Sequence, residues 1–284
     1  MNFKEYLADA WSIHATNPRK VADEFKQNFN LMESEDDVTA ITRLIVHVCG
    51  EHLGEWMKGI ELLRKLKNNA TIKDPKEMNR YMAILNLGNN PNTTIDNFSP
   101  SDQARIYAST ASALANLGGL KNAEKFLKLA SEIISTQLTN EDPANEALAT
   151  AGNNIACTQE DKKERNEGEV ELMILAATTA RKYWEIAGTW KEVERAEYRL
   201  SQTYLQAGLL NKSLLHAKNC LDINSQNNNE PLEIFFGYEA LAKASKALKN
   251  EADYNDALLK IKIAYSNLSA DDQSWCKAKL DEIQ

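Results

Sequence analysis

Apolar residues recur every three to four positions along most of the chain, which is the spacing of one face of an α-helix. No stretch alternates apolar and polar residues, with β-branched enrichment, for long enough to predict a strand. Most of the prolines follow a helix-capping residue or an acid, as in Asn17-Pro18 and Ser99-Pro100. Proline is tolerated at the first helical position, so these pairs mark helix starts. The pattern predicts an all-α protein.

The clearest loop runs from about residue 88 to residue 99 and is rich in Asn and Thr. We take it as the boundary between a divergent N-terminal helical region, 1–98, and a more regular array, 99–284. The predicted helices lie near residues 3–14, 18–31, 36–50, 55–68, 75–87, 100–117, 120–136, 143–160, 167–187, 190–207, 210–223, 231–249, 252–267 and 270–283.

Small residues recur at one fixed spacing in the array. Ala111, Ala156, Ser201 and Ser245 are separated by 45, 45 and 44 residues, and each lies in the middle of a predicted helix. Such a period is typical of a solenoid, whose units cannot bury an apolar face alone and therefore stack on their neighbours. The repeat predicts an α-solenoid, and a surface that binds rather than a pocket that catalyses.

The turns of the array carry glycine. Gly118 and Gly208 each end one predicted helix, and the next helix begins two residues later. Ala123, Leu127 and Ala130 then recur along the second helix at spacings of four and three, which lets two helices approach closely. This arrangement resembles the tetratricopeptide repeat, which has a small residue at its eighth position, Gly at the turn and Ala early in the second helix.

The resemblance covers residues 100–268, and a weaker copy of the repeat is expected at 36–68. The unit is longer than the common repeat of about 34 residues. It is similar to the longer-unit members, such as the kinesin light chain repeats, whose Asn-Asn-Leu-Ala resembles the stretch 153–156. The resemblance implies a right-handed α-solenoid of helix-turn-helix repeats, with residues 269–284 as a C-terminal capping helix.

Composition indicates which classes of ligand and which cellular compartment to expect. The net charge is −8 and the pI is about 5.2, which disfavours nucleic acid or an anionic membrane as the main ligand. The first residues lack the apolar core of a signal peptide, and the longest apolar run, 172–177, is too short to cross a bilayer. The four cysteines form no Cys-x-x-Cys pair, which is typical of buried thiols in a reducing compartment. We expect a cytoplasmic protein.

The resemblance also implies where a ligand binds. In the family the first helix of each pair lines a concave groove that holds protein segments. The implied function is a non-catalytic protein- or peptide-binding adaptor or scaffold, and the sequence leaves its oligomeric state open. The candidate groove residues are Asn154, Arg195, Tyr198, Arg199, Gln202 and Lys243.

Three of these residues resemble part of the carboxylate clamp by which some members of the family hold a peptide C-terminus. Asn154, Arg195 and Arg199 match three clamp positions, whereas Ala108 and Ser112 stand where the clamp has Lys and Asn. A C-terminal carboxylate is therefore one candidate ligand, since guanidinium groups bind carboxylates through paired hydrogen bonds.

Two alternatives compete with this interpretation. Arg195 and Arg199 can instead form surface ion pairs with Glu192 and Glu194 of the same helix. The protein can also be a regulatory sensor that closes around a short signalling peptide, as peptide-pheromone receptors built on such repeats do.

Residues that suggest chemistry are few. His47, Glu51 and His52 are close in sequence, but in a regular α-helix His47 shares a face with Glu51 while His52 points elsewhere. A packed histidine is the expected interpretation, and an enzyme or metal site at these three residues is the alternative. His14 and His216 stand alone in the sequence, and no nucleotide-binding glycine motif is present. The sequence predicts no enzyme, no metal and no cofactor.

Overall fold

The computed structural model describes residues 2–69, 75–227 and 229–283. Over these residues the regular structure is entirely helical, as predicted. The α-helices are α1 (Phe3–Ile13), α2 (Pro18–Asn28), α3 (Glu35–Val46), α4 (Trp56–Asn69), α5 (Pro75–Asn89), α6 (Pro100–Asn116), α7 (Leu120–Gln137), α8 (Ala144–Glu160), α9 (Glu167–Ala187), α10 (Trp190–Gln206), α11 (Leu210–Ser225), α12 (Pro231–Ala247), α13 (Glu251–Ser266) and α14 (Ala270–Ile283). A short 3₁₀ turn, Phe29–Leu31, follows α2, and a π-helical turn, His47–His52, follows α3.

Helix starts follow the capping residues identified in the sequence. The Asn17 side chain accepts a hydrogen bond from the backbone N–H of Lys20, and Ser99 accepts one from that of Asp102. These bonds satisfy N–H groups that have no partner within the helix. The predicted helix 36–50 differs at its end rather than its start, because its regular α-helical part stops at Val46 and the chain continues as the π-helical turn.

The chain divides into two compact units, Met1–Ala147 and Leu148–Gln284. The first unit is built around an apolar core of residues from α1 to α5, including Phe25, Leu44 and Leu63, each fully buried. The boundary predicted between residues 98 and 99 lies inside this unit, in the segment between α5 and α6.

In the second unit, helices that follow one another from α9 to α13 pack against each other, and α10 also contacts α12. Helix α14 packs on α12 and α13 through Cys276, Leu280 and Ile283, which are buried. Trp275 lies outside this buried face and is 64% exposed. This is the arrangement expected of a capping helix.

The repeated small residues are buried in helix contacts. Ala111, Ala156, Ser201 and Ser245 are at most 1% exposed. The Ser201 hydroxyl donates a hydrogen bond to the Ser213 carbonyl oxygen at 3.0 Å, which ties α10 to α11. The recurring small residue is therefore a packing position, as predicted.

The predicted turn glycines have left-handed backbones, with φ of 80° at Gly118 and 72° at Gly208. Between α8 and α9 the turn is different and contains no such glycine. There the Arg165 guanidinium donates hydrogen bonds to the carbonyl oxygens of Gln159 at 2.9 Å and Glu160 at 3.1 Å. The Arg165 side chain thus satisfies free carbonyl groups at the end of α8.

None of the helices in the described ranges combines the length and apolar character needed to cross a membrane.

Candidate functional site

A pocket of about 380 Å³ opens on the second unit. Helices α8, α10, α12 and α14 supply its lining, and three of these are the first helices of predicted repeat pairs. We call it the groove pocket. It is lined by Asn153, Glu194, Arg195, Tyr198, Arg199, Leu232, Glu233, Phe236 and Trp275.

One wall of the groove pocket is aromatic. The Phe236 ring lies edge-to-face with Tyr198, at 5.5 Å between centroids, and with Trp275, at 5.3 Å. Leu232 adds an aliphatic side chain. Edge-to-face contacts of this kind stabilise the packing of the three rings against one another. Trp275 nevertheless remains 64% exposed, which makes it a large apolar surface open to a ligand.

Arg195 supplies the accessible cation of the pocket. Its Nε and Nη2 atoms donate hydrogen bonds to Oε1 of Glu233, at 3.1 and 2.6 Å. The Glu233 side chain is 4% exposed, whereas that of Arg195 is 56% exposed. The hydrogen bond to Glu233 raises the pKa of Arg195 above its usual value. Arg195 is therefore anchored at one edge of its guanidinium and open to solvent at the rest.

A second carboxyl group lies beside this ion pair. Glu194 is 1% exposed, and its burial, together with the charge of Glu233, raises its pKa to about 9. A buried carboxyl group next to a carboxylate retains its proton because two negative charges repel each other where water cannot screen them. The raised pKa favours the protonated form of Glu194 beside the Arg195–Glu233 ion pair.

Arg199 of α10 is held by a carboxylate on α8. It forms an ion pair with Glu160 of α8, whose other carboxylate oxygen accepts a hydrogen bond from the Thr203 hydroxyl at 2.6 Å. Burial raises the pKa of Glu160 and the nearby Arg199 opposes this rise. The alternative of surface pairs with Glu192 and Glu194 is not what the structure shows, because both arginines form their ion pairs with carboxylates on neighbouring helices.

Three predicted groove residues surround the buried carboxylate of Glu239 instead. Lys243 Nζ lies 2.5 Å from Glu239 Oε1, and Gln202 Nε2 donates to Oε2 at 3.4 Å. Burial and Glu239 both raise the pKa of Tyr198 well above its usual value. Gln202 and Lys243 therefore serve a buried polar network, while Tyr198 belongs both to this network and to the pocket wall.

The structure places the asparagine of the predicted clamp differently. Asn153 lines the groove pocket, whereas its neighbour Asn154 is exposed and is not among the lining residues. Arg195 and Arg199 line the same pocket, so two of the three clamp-like residues are brought together. A ligand in the pocket would meet the Asn153 amide.

Sequence reasoning missed the aromatic wall. Phe236 and Trp275 lie on α12 and on the capping helix, 39 positions apart, so no local pattern joins them. The available signal was the helical periodicity of α14, in which Cys276, Leu280 and Ile283 form the buried face and leave Trp275 outside it.

The histidines of the first unit differ from expectation. In the π-helical turn, His47 and His52 come together with their Nε2 atoms 3.0 Å apart. His14, which follows α1, joins them, and candidate ligand atoms of the three residues lie within 4.8 Å of one another. The expectations that His52 points away from His47 and that His14 stands alone are therefore wrong. His216 bonds to Glu197 at 2.6 Å in the second unit.

The first unit also holds a cavity of about 680 Å³ between α5 and the segment before α6. Amide and threonine side chains form much of its lining. Its carboxylate, Asp102, already accepts hydrogen bonds from Arg80 at 3.0 Å and from Ser99 at 3.1 Å. With its charged group occupied by internal partners, this cavity is a weaker binding candidate than the groove pocket.

Comparison with known proteins gives the fold. No family model matches the sequence, and no curated protein matches it. A crystal structure of BtubC (BKLC) from P. vanneervenii is similar, with 15% identity, a TM-score of 0.50 and coverage of 94% of this chain and 92% of that chain. Similar too is a putative kinesin light chain with nearly identical TPR-like repeats from Podospora anserina, with 12% identity, a TM-score of 0.52 and coverage of 84% of this chain and 100% of that chain. The chain is thus an all-α protein with the tetratricopeptide-like solenoid fold, as the sequence predicted.

Proposed function

We propose that the protein is a non-catalytic adaptor, and that its groove pocket binds a peptide segment of a partner protein through a large apolar side chain. The observation that carries the proposal is Trp275, which is 64% exposed on the aromatic wall of the pocket. Proteins with a tetratricopeptide-like fold typically bind other proteins and are typically not enzymes, which supports the same function.

Covering Trp275 supplies a driving force. A Trp side chain exposes up to about 250 Å², so a ligand that covers the exposed part removes about 150 Å² from water. At about 25 cal/mol per Å² this is worth about 4 kcal/mol before the costs of association. Exposed aromatic residues at the centre of a preformed pocket are frequent hot spots of protein interfaces.

The polar lining fits the rest of a peptide. The Asn153 side chain offers a donor and an acceptor together, which suits the main chain of an extended segment. Arg195 presents its open guanidinium edge to a carboxylate, including the C-terminal one. The raised pKa of Glu194 favours its neutral form, which does not repel a ligand carboxylate. The free cysteines, three of which are buried, fit the cytoplasmic location that we propose with this function.

Selection from a peptide display library tests the proposal. The full-length chain is the bait, and the enriched peptides are titrated by fluorescence anisotropy against wild type and Trp275→Ala. The matched control is Leu259→Ala, which removes a similarly exposed apolar side chain, 61% exposed, from α13 of the same unit. We expect peptides with a shared aromatic or long aliphatic position, bound about tenfold or more weakly by Trp275→Ala. Equal binding by both variants would refute the proposed site.

A second comparison tests the carboxylate. Arg195→Gln combined with Glu233→Gln removes both charges while leaving groups that can hydrogen-bond to each other. If Arg195 holds a C-terminal carboxylate, this double variant loses the advantage of a free-acid peptide over its C-terminal amide. If the two peptide forms bind wild type equally, the ligand is an internal segment, and the aromatic wall alone defines the site.

A further inference from the structure

We propose that His14, His47 and His52 form a binding site for a divalent transition-metal ion of the zinc class in the first unit. Each histidine offers one ring nitrogen, and these candidate ligand atoms lie within 4.8 Å of one another. Three of the chain's four histidines meet here. His14 is distant from the other two in sequence, and a regular α-helix would place His47 and His52 on different faces. This site is separate from the groove pocket, and the proposal does not depend on it.

The backbone of the π-helical turn creates the arrangement. Residues five apart are separated by about 140° around a regular α-helix, so an α-helical segment would aim His47 and His52 in different directions. In a π-helical turn the hydrogen bond runs from residue i to i+5, which brings such residues to the same side. The turn His47–His52 does this, and its ring nitrogens lie 3.0 Å apart. Such turns are frequent at functional sites.

Hydrogen bonds fix which nitrogen is free to bind a metal in two of the three rings. His14 Nδ1 lies 2.5 Å from the carbonyl oxygen of Trp11, which can only accept, so Nδ1 carries the proton. His47 Nδ1 lies 2.7 Å from a carboxylate oxygen of Glu51, which places a proton there too. In both rings Nε2 therefore keeps its lone pair. The 3.0 Å contact with His47 Nε2 then takes its proton from His52 Nε2, so metal binding through this atom requires the His52 tautomer that is protonated at Nδ1. Metal-bound histidines in proteins nearly always have their other nitrogen bonded to a carboxylate or a backbone carbonyl in this way.

Glu51 is itself held in place. Its second carboxylate oxygen accepts a hydrogen bond from the Ser112 hydroxyl at 3.1 Å, and its backbone carbonyl accepts one from Asn116 Nδ2 at 2.6 Å. Both donors belong to α6 of the same unit. Glu51 is thus a positioning residue that orients His47 rather than a ligand.

The spacing suits a tetrahedral ion after a small closure. Zn–N bonds of about 2.0 to 2.1 Å place tetrahedral ligand nitrogens about 3.3 Å apart. The Nε2 atoms of His47 and His52, 3.0 Å apart, are already close to this spacing. The candidate ligand atom of His14 lies within 4.8 Å of the other two, a distance that a side-chain movement can shorten. The Trp11 ring covers one side, with its centroid 5.0 Å from His14 and 5.5 Å from His47. Three imidazoles favour zinc and its neighbours over Mg²⁺ or Ca²⁺, and they leave a fourth position for water.

The first test measures zinc binding by the full-length, tag-free chain. The protein is stripped with a chelator, titrated with Zn²⁺ by calorimetry, and analysed for bound metal after dialysis. We expect one tight zinc per chain, with His14→Gln, His47→Gln and His52→Gln each binding at least about tenfold more weakly. His216→Gln, which removes the histidine of the second unit, is the matched control and should bind as wild type does. Loss of zinc in His216→Gln alone, or equal affinity in all variants, would overturn the proposal.

Two readouts keep the test independent of folding. Circular dichroism checks that each variant is helical, and Co²⁺ added to wild type should give the visible absorption of a tetrahedral nitrogen-coordinated ion without thiolate bands. An octahedral Co²⁺ spectrum would contradict the proposed site even if every histidine variant misfolded. Glu51→Gln tests the positioning role, since losing its charge should weaken zinc binding by about ten- to a hundredfold while the Co²⁺ spectrum keeps its tetrahedral form. Unchanged affinity would remove Glu51 from the site.

Discussion

Replacing Arg199 with methionine should destabilise the second unit by about 3 kcal/mol. The Glu160 side chain is only 9% exposed, so the substitution leaves a buried carboxylate without its counter-charge. Losing one partner of a buried pair typically costs about 3 to 5 kcal/mol. The lower end applies here because Thr203 still donates to Glu160, and because burial already raises the pKa of this group and so makes its protonation less costly.

The double-mutant cycle with Glu160→Gln isolates the pair. The single Glu160→Gln change should cost less, about 1 to 2 kcal/mol, since the Arg199 side chain is 23% exposed and can still reach water. Combining Arg199→Met with Glu160→Gln removes both charges. The free energy of unfolding of this double variant should be within about 1 kcal/mol of that of wild type, because a buried ion pair stabilises a protein little more than buried neutral groups do. The coupling free energy should therefore be about 3 kcal/mol or more.

Urea unfolding at neutral pH, followed by circular dichroism and checked by scanning calorimetry, measures these differences. Lys260→Met is the control, since its ion pair with Asp256 is exposed on both sides and its loss should leave the transition unchanged. A loss below about 1 kcal/mol for Arg199→Met, or additive effects in the cycle, would refute the view that Arg199 is a structural residue held by Glu160.

Three further changes test other parts of the structure. Glu194→Gln should stabilise the protein at about pH 8 and not at about pH 4. The pKa of Glu194 in the folded protein, about 9, lies above its usual value of 4.5, so the wild-type protein becomes less stable as the pH rises from 4.5 towards 9. Glutamine does not titrate, so the variant escapes this loss. Unfolding measured at the two pH values checks this. Gly152→Ala should cost about 2 kcal/mol, because its Cβ would lie 2.7 Å from the carbonyl oxygen of Ala176 across the α8–α9 contact. Gly208→Ala should cost only about 1 kcal/mol, since its φ of 72° is strained for alanine but no atom lies within 4 Å of the added carbon. A larger loss of stability for Gly208→Ala than for Gly152→Ala in thermal melts would contradict both glycine predictions.

Helix positions could be predicted because their signals are local. Capping residues such as Ser99 bond to backbone groups three residues away, and turn glycines such as Gly208 adopt a backbone that other residues avoid. The buried small residues likewise follow from their repeat, since each unit packs on its neighbour in the same way. These features depend on a few residues in one stretch of chain.

The site could be predicted only in part because its partners are distant in sequence. Arg195 and Arg199 line the groove pocket, but their carboxylate partners, Glu233 and Glu160, lie 38 and 39 residues away on other helices. Which glutamate each arginine reaches depends on the relative height of those helices, and the long repeat unit gives no simple rule for it. The aromatic wall that includes Trp275 was missed for the same reason.

The histidine cluster was missed because of one local irregularity. The prediction continued a regular α-helix past Val46, whereas the structure has a π-helical turn there. A change of hydrogen-bond register by one residue turns every later side chain by about 100°, which moves His52 next to His47. No residue type in that stretch requires such a turn.

The central claim is that a peptide binds at the aromatic wall of the groove pocket, and the indole N–H resonances of the five tryptophans test it most directly. The full-length, ¹⁵N-labelled protein is titrated with a library-selected peptide, and Trp275→Phe assigns the reporter signal. We predict that the Trp275 resonance shifts and saturates with the binding isotherm, while Trp11 and Trp56 of the first unit stay unchanged. A Trp275 resonance that does not move at saturating peptide would contradict the proposed function.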